Sequence, residues 1–314
     1  MGKSDLNKSV GIIKIKINDQ LESGTGFRFG ENYVMTAYHV FEGIVKHVWK
    51  LVMAIVEQSD KKEAIYQKIS TMFSRSSADI DPKRQALPFG HLFEYLHTMG
   101  LPIEVFEEKW KDAVNIEFGV REGKTTAGEF NFEYNIPFAD SDHDVVVLQI
   151  SKGSKGLPPP LTLAKYMVAD KVHLFGYPIG STEIDLSSDI KCRIYADNRE
   201  LTGDVTKAIE WWRKEKRRPV KNEYAVCHYI NDNHTDTGKI FLHTSKQFER
   251  GSSGCPAITF INEQPVVQLM YLRGYPEFCY KEGTFPPPQY LFEAGVSMPV
   301  VTRLLQECCR QIMA

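Results

Sequence analysis

Short stretches in which apolar and polar residues alternate run through most of the chain. GIIKIKIN (Gly11 to Asn18) alternates isoleucine with lysine or asparagine, and EFNFEYNI (Glu129 to Ile136) alternates aromatic with polar residues. The segment from Gly24 to Val40 contains two such runs joined by a Gly-Glu-Asn turn. A period of two is typical of strands with one buried face. The pattern therefore predicts a mainly β protein, built as barrels or as a sandwich.

Three segments depart from this alternation and predict helices. Phe41 to about Trp110 is rich in Lys, Glu, Ala, Leu and Met, and Glu200 to Arg218 has a similar composition, so both are interpreted as helical insertions in a β framework. The segment SMPVVTRLLQECCRQIM predicts a C-terminal helix, because Pro299 suits a first helical turn. The run from Leu157 to Pro160 is the best candidate for a link between two β halves.

Charge and cysteine content bear on where such a protein works. The chain of 314 residues has a net charge of -2, which gives no overall attraction to nucleic acid or to an anionic membrane. All six cysteines lie after residue 191, and the N-terminal stretch has no apolar run typical of a signal peptide. No run is apolar enough to span a bilayer. We therefore expect an intracellular, reducing location, cytoplasmic or nuclear.

The segment FERGSSGCP (Phe248 to Pro256) carries the most specific chemistry. A serine flanked by glycines in a tight turn suits a nucleophile, because glycine permits backbone angles that gather N–H groups around an attacked carbonyl. Ser253 would be the nucleophile, and the N–H groups of Gly251 and Ser253 would form the oxyanion hole. The alternative is a glycine-serine turn without chemistry.

A serine nucleophile needs a base, and the base needs a carboxylate to orient it. VMTAYHV offers His39 at the end of a strand, and SDHDVVVLQI offers Asp144 immediately before an apolar strand. Asp142 and His143 are local rivals, and each residue alone could be an ordinary structural one. The order His, Asp, Ser, with gaps of 105 and 109 residues, is the order found on double β-barrels. Together the three residues predict a catalytic triad.

These segments resemble the chymotrypsin/trypsin family of serine proteases. TAYHV is similar to the family's Thr-Ala-x-His motif, DVVVLQI follows its aspartate in the same way, and RGSSGCP is similar to its Gly-Asp-Ser-Gly-Gly-Pro turn. The resemblance implies a chymotrypsin-like double β-barrel with helical insertions and a C-terminal helix. It implies a single trypsin-like peptidase domain over residues 1–314, whose N-terminal barrel (1–160) carries the insertion at about 41–110. The C-terminal barrel (161–314) carries the insertion at about 200–218.

Three departures from the family pattern qualify that resemblance. Val40 stands where secreted members carry a disulfide cysteine, and Ser252 replaces the aspartate that pairs with a freshly cut N-terminus. This chain is therefore expected to lack that zymogen switch. Cys255 replaces the second glycine of the turn, and we expect its small side chain to pack behind the site.

A narrower similarity concerns the C-terminal half. The runs KVHLFGYPIGSTEIDLSSDIKCRIY, EYAVCHYI and GSSGCPAITFINEQPVVQLM are similar to the vertebrate intracellular, nuclear trypsin-like proteases linked to removal of DNA–protein crosslinks and to antiviral restriction. This similarity implies a protein or peptide substrate and is compatible with a nuclear location.

The family resemblance also suggests which residues bind substrate. Gln247, six residues before Ser253, corresponds to the floor of the primary specificity pocket, and a neutral residue there cannot hold a basic side chain by charge. Tyr271, Leu272 and Arg273 correspond to the edge strand that pairs with the substrate backbone.

Other features predict no further ligand. The basic run RKEKRRP (Arg213 to Pro219) is interpreted as a solvated helix end rather than a nucleic-acid patch. Neither Cys227-His228 nor Cys308-Cys309 has the spacing of a zinc site, so we expect no metal and no cofactor. Direct binding of nucleic acid and membrane association are not expected, and a homo-oligomer stays open.

Two alternatives to an active serine endopeptidase stay open at this stage. In the first, the fold is a non-catalytic protein-binding module, because the changes at Ser252 and Cys255 inactivate the oxyanion loop. In the second, the enzyme is latent until dimerisation or substrate acts through the helical insertion.

The neutral Gln247 predicts specificity for apolar or aromatic residues before the cut, such as Leu or Phe. We expect a Phe-amide or Leu-amide peptide to be cleaved with a higher kcat/KM than the matched Arg-amide peptide. Measuring the three substrates side by side checks this, and a strong preference for Arg would contradict it.

Overall fold

The computed structural model describes most of the chain, and the fold is given for that part. The described residues are 3–17, 20–74, 89–102, 113–121, 124–133, 136–167, 171–178, 185–186, 192–194, 198–216, 238–243, 248, 251–276, 287–290 and 292–313. Strands dominate, and they form two sheets.

The first sheet contains seven antiparallel strands in the order β5-β4-β1-β2-β3-β7-β6. Its strands are β1 (Val10–Ile17), β2 (Gln20–Phe29), β3 (Tyr33–Ala37), β4 (Val114–Arg121), β5 (Lys124–Asn131), β6 (Phe138–Asp140) and β7 (Val145–Gln149). A single bridge between Phe132 and Ile150 joins the chain just after β5 to the chain just after β7. The sheet thus curls until its two sides meet at one point, without the full seam of a closed barrel.

The second sheet contains eight strands in the order β10-β9-β11-β12-β15-β14-β13, with β8 beside β14. Its strands are β8 (Thr162–Leu163), β9 (Lys171–Gly176), β10 (Asp185–Leu186), β11 (Cys192–Ile194), β12 (Lys239–His243), β13 (Pro256–Ile261), β14 (Gln264–Tyr275) and β15 (Phe292–Ser297). All pairs are antiparallel except β8 with β14. β13 also pairs with β9 over two residues, so this sheet curls back on itself along a short seam.

Helices occupy the two predicted insertions and the C-terminal segment, and one more helix precedes β1. They are α1 (Lys3–Ser9), α2 (Tyr38–Glu57), α3 (Lys62–Ser74), α4 (Phe89–Thr98), α5 (Asn198–Lys216), α6 (Met298–Cys308) and α7 (Arg310–Met313). α2 packs on the first sheet, α3 packs on α2 and α4 on α3, and residues such as Val52, Ile65 and Leu92 join one apolar cluster with that sheet. α5 packs on the second sheet through Val205 and Trp212. None of the helices in the described part of the chain is long and apolar enough to cross a membrane.

One apolar cluster contains residues of both sheets and of the C-terminal helix. It includes Phe27 and Met35 of the first sheet and Met270 and Val296 of the second. Leu305 of α6 is fully buried in the same cluster. Burial of apolar surface is the main favourable term in folding, so this shared core holds the two sheets together at the place where their loops meet.

The predicted mainly β class, with two antiparallel sheets, helical insertions and a C-terminal helix, is confirmed. The prediction of barrels needs one adjustment, because the sheets close only through a bridge and a two-residue seam. The first insertion begins at Tyr38 rather than Phe41, so His39 lies in the first turn of α2 and not at the end of a strand. The short helix α1 was not predicted, since a stretch of seven residues has too little periodicity to reveal it.

Leu305→Ala should destabilise the protein, because it removes a fully buried side chain from the core that joins the sheets. We expect a loss of about 2–5 kcal/mol in the free energy of unfolding, measured by urea denaturation. The neighbouring exposed residue is the control, and Gln306→Ala should change the same quantity by less than about 0.5 kcal/mol. Equal effects of the two substitutions would contradict the assignment of this core.

Candidate active site

Asp144 lies at the end of a hairpin turn, just before β7, in an unusual backbone conformation. Its φ of 56° is in the left-handed region, which residues other than glycine seldom occupy. The turn is held by Asp140, whose Oδ1 accepts the N–H groups of Asp142 (2.9 Å) and His143 (3.1 Å). The His143 imidazole adds a third contact, since its Nδ1 lies 2.7 Å from Asp140 Oδ2.

His143, one of the two local alternatives considered for the triad, pairs with Asp140 instead. Asp140 and His143 are buried, with exposed fractions of 0% and 7%, and they face each other. His143 therefore stabilises the turn between β6 and β7. This turn holds the next residue, Asp144, in its left-handed backbone conformation.

Asp144 makes three contacts with the start of α2. Its carbonyl oxygen accepts the N–H of Tyr38 (3.0 Å), and its Oδ1 accepts the N–H of His39 (2.8 Å). The first N–H groups of a helix have no partners within the helix, and the N-cap residue of α2, Ala37, has no side chain that could accept them. Asp144 thus caps the helix that carries His39.

The same carboxylate also orients the imidazole of His39. Asp144 Oδ2 lies 2.8 Å from His39 Nδ1. Because an ionised carboxylate can only accept, Nδ1 is the donor, and in a neutral imidazole the lone pair is then on Nε2. The His39 side chain is 41% exposed and that of Asp144 is 21% exposed, so the pair is open to solvent on the side of the imidazole.

The loop from Gly251 to Cys255 brings Ser253 to the first sheet. Gly251 and Gly254 have φ values of 92° and 89°, which favour glycine. The loop is held by β14, because Gly254 N–H donates to Tyr271 O (2.8 Å) and Tyr271 N–H donates to Cys255 O (2.9 Å). It is also held by β2, because Thr25 N–H donates to Ser253 O (3.0 Å).

Gly254 is the point of closest approach between the loop and the first sheet. A Cβ at this position would lie closer than 3.0 Å to Thr25 O and Thr36 Oγ1, and 3.1 Å from Ala37 N. Real Cβ atoms do not approach backbone atoms so closely, and therefore only glycine fits. The glycine on this side of the serine is required by packing as well as by φ.

The hydroxyl of Ser253 is engaged with the second sheet. Ser253 Oγ donates to the carbonyl oxygen of Leu272 at 2.8 Å, and within the described part of the chain it has no hydrogen bond to His39. The structure therefore brings His39 and Asp144 together, and it holds Ser253 on the adjoining loop with its hydroxyl turned to β14.

The N–H groups predicted for the oxyanion hole are free to bind a ligand. Among the described residues, no protein atom accepts the N–H of Gly251 or of Ser253. The carbonyl oxygens of both residues, in contrast, are bonded to Thr25. An oxyanion hole requires N–H donors that no protein atom accepts, and the direction of these two N–H groups toward a substrate stays a prediction.

The predicted substrate-binding residues are described in part. Gln247 lies outside the described residues. Tyr271 and Leu272 are buried and Arg273 is exposed, and the register of β14 against β15 shifts between Tyr271 and Arg273. Both backbone groups of Tyr271 bond to the serine loop, whereas the contact of these residues with a substrate stays a prediction.

Two further sequence features have a place in the fold. Trp212 is buried against the second sheet, while Trp211 is half-buried and packs on Tyr290 with ring centroids 5.9 Å apart. In the basic run, Arg213 and Lys214 are exposed at the end of α5, and residues 217–219 lie outside the described part. Among the described residues, no group of three or more His, Cys, Asp or Glu side chains is placed to hold a metal ion.

The sequence did not single out two residues that organise this site. Asp140 is four residues before Asp144, and a buried turn aspartate cannot be told from an exposed one by its letter. Thr25 lies in the glycine-rich SGTGF run of β2, and the two partners of its side-chain oxygen, Gly251 and Tyr177, are more than 150 residues away along the chain.

The chain is similar to solved structures of one protease, with TM-scores below 0.5. No protein-family model matches the chain, and no curated protein matches it. The crystal structure of the inactive form of the Rv3671c protease is 15% identical in sequence, over 97% of this chain and 90% of that one, with a TM-score of 0.43. The active form of the same protease from M. tuberculosis is also 15% identical, over 97% and 82% of the two chains, with a TM-score of 0.44.

Gly254→Ala should be far more harmful than an alanine at another glycine of positive φ. Gly153 has a φ of 83° and open space around the position of a Cβ, so Gly153→Ala pays only for the left-handed backbone, about 1–2 kcal/mol. Gly254→Ala adds the contact with Thr25 and should cost at least about 2 kcal/mol more. Urea denaturation of both variants measures the difference, and equal losses would contradict the close approach.

Proposed function

We propose that this chain is an intracellular serine endopeptidase, in which His39, Asp144 and Ser253 act as base, orienting carboxylate and nucleophile. The domain that carries them spans residues 1–314, with an N-terminal half (1–160) and a C-terminal half (161–314). The support for this proposal is the geometry of one site: a carboxylate-bound imidazole on α2, a serine on the adjoining loop, and two free N–H groups beside that serine.

The doubly bound Asp144–His39 pair is the observation that carries the proposal. One oxygen of Asp144 accepts the backbone N–H of His39 and the other faces His39 Nδ1, both at 2.8 Å. A purely structural aspartate would need only the first contact to cap the helix. The second contact fixes the tautomer in which Nε2 is a base, as peptide hydrolysis by a serine requires.

The mechanism follows from these positions. Ser253 leaves the carbonyl of Leu272, turns its hydroxyl to His39 Nε2 and attacks the peptide carbonyl while Nε2 takes the proton. The N–H groups of Gly251 and Ser253 bind the oxyanion, and Asp144 stabilises the imidazolium. His39 then passes the proton to the leaving amine, and water hydrolyses the acyl-enzyme by the same route. No cofactor enters the reaction.

The proposed substrates are proteins or peptides with an apolar or aromatic residue before the cut. This specificity rests on the neutral Gln247. Leu272 and Arg273 are proposed to face the substrate backbone, whereas both backbone groups of Tyr271 are bonded to the serine loop. The similarity to the nuclear trypsin-like proteases linked to DNA–protein crosslink removal suggests a cytoplasmic or nuclear protein substrate.

A latent enzyme is the second candidate, and one observation favours it. The Ser253 hydroxyl donates to Leu272 O at 2.8 Å and not to the imidazole. A net hydrogen bond of this kind is worth about 1 kcal/mol, and rotation of a serine side chain takes picoseconds to nanoseconds. This contact therefore lowers the resting reactivity without abolishing it. A non-catalytic binding module would need a further defect in the site.

A fluorophosphonate probe should label the folded protein on Ser253. Ser253→Ala should abolish labelling because the nucleophile is gone. Asp144→Asn should slow it by about 10⁴-fold, because His39 would then adopt the wrong tautomer. Gel fluorescence over time gives the rates, and peptide mapping gives the labelled residue.

Asp142→Asn is the matched control, since Asp142 lies in the same turn and is exposed. It should label at the rate of the unaltered protein. Absence of labelling in folded, unaltered protein would support the non-catalytic binding module, and slow labelling that a peptide substrate accelerates would support latency.

A further inference from the structure

We infer that Thr25 is the positioning residue of the oxyanion hole. It holds the carbonyl groups of Gly251 and Ser253, whose peptide groups flank the one that carries the Ser253 N–H, and so keeps that N–H directed at the reacting carbonyl. The inference rests on the proposed function and adds to it a residue from the opposite sheet. Thr25 lies in β2 and is fully buried. It acts through the loop and does not itself touch the substrate.

The hydroxyl of Thr25 has one arrangement open to it. Tyr177 N–H donates to Thr25 Oγ1 at 3.0 Å, and Gly251 O lies 2.8 Å from the same oxygen. A carbonyl can only accept, so the hydroxyl proton points to Gly251. Oγ1 therefore links the end of β9 to the first glycine of the serine loop.

The backbone of Thr25 holds the other end of the same loop segment. Thr25 N–H donates to Ser253 O at 3.0 Å, while Thr25 O accepts the hydroxyl of Thr36 at 2.7 Å. Thr25 is thus fixed by its own sheet and fixes two carbonyl groups of the other. The peptide group that carries the Ser253 N–H lies between the two peptide groups whose carbonyls Thr25 holds.

The loop needs this restraint because of its glycines. Gly251, with φ of 92°, has no side chain to hinder rotation of the adjoining peptide groups. If the peptide group between Ser252 and Ser253 turned over, the carbonyl oxygen of Ser252 would replace the Ser253 N–H at the place where negative charge develops. Donors that are fixed before the reaction stabilise that charge most. Thr25 opposes this rotation, because it holds the peptide groups on both sides through Gly251 O and Ser253 O.

The Tyr177 side of the link is rigid enough to serve as an anchor. The Tyr177 side chain is buried in the core shared by both sheets, and burial raises the pKa of its phenol above the ordinary value. The backbone N–H that reaches Thr25 belongs to this buried residue. The restraint on Gly251 therefore originates in the core and not in another loop.

Thr25→Val tests the inference, because valine has the shape of threonine without its hydroxyl. Labelling by the fluorophosphonate probe is followed at several probe concentrations, to separate the limiting rate kinact from the apparent binding constant KI. We expect kinact to fall by roughly 10–100-fold, as for a misplaced catalytic group, with KI unchanged. Thr25→Ser keeps the hydroxyl and should label within about threefold of the unaltered protein.

The control separates positioning from stability. Thr302, on the C-terminal helix, is another buried threonine, and its hydroxyl donates to the carbonyl oxygen of Ala164. Thr302→Val should leave kinact unchanged. If Thr25→Val does not fold, Thr25→Cys is compared with Thr25→Ser, since the two share a shape and the thiol is a weaker donor; kinact should then be lower for the cysteine variant.

The outcomes distinguish this inference from the proposed function. Unaltered protein that is not labelled overturns the proposed function and the inference with it. Labelling of Thr25→Val at the rate of the unaltered protein overturns the inference alone, and so does an equal loss of kinact in Thr302→Val. A loss confined to Thr25→Val and restored by serine supports it.

Discussion

The structure depends on the close approach of the serine loop to the first sheet. Gly254 lies so near Thr25 and Thr36 that no side chain fits between them. The approach lets one threonine bond to the loop at Gly251 and Ser253, and it places the loop beside the start of α2. Two sheets that are distant in sequence are thereby joined by buried hydrogen bonds. Such bonds are individually modest, but costly to leave unmade in a buried place.

Asp144 shows how one side chain can serve the fold and the site together. As a cap it satisfies N–H groups that a helix beginning after Ala37 would otherwise leave without partners. As a partner of Nδ1 it selects the tautomer of His39. Its left-handed backbone conformation is held by the buried Asp140–His143 turn. Strain at such a residue persists when the surroundings determine its conformation, which is common at functional sites.

Much of the fold could be predicted from the sequence, because the signals are local. Alternation revealed β1 to β3, and the change to a helical composition revealed α2 and α5 within a few residues. The start of α2 was placed three residues too late, since its cap is a residue 105 positions away. The sequence predicts closed barrels, whereas the sheets close only at short contacts such as Phe132 with Ile150. The sequence around these residues carries no sign of the contact.

By itself, the sequence determined the types of chemical group available: a serine between glycines, a histidine after an apolar run, and an aspartate before a strand. Only the tertiary structure decided how these groups meet. It paired His39 with Asp144, turned the Ser253 hydroxyl to Leu272, and brought Thr25 from the first sheet to the serine loop. The physical reason is that hydrogen bonds depend on distance and direction in space. Residues in two sheets acquire both only when a shared apolar core fixes the sheets against each other.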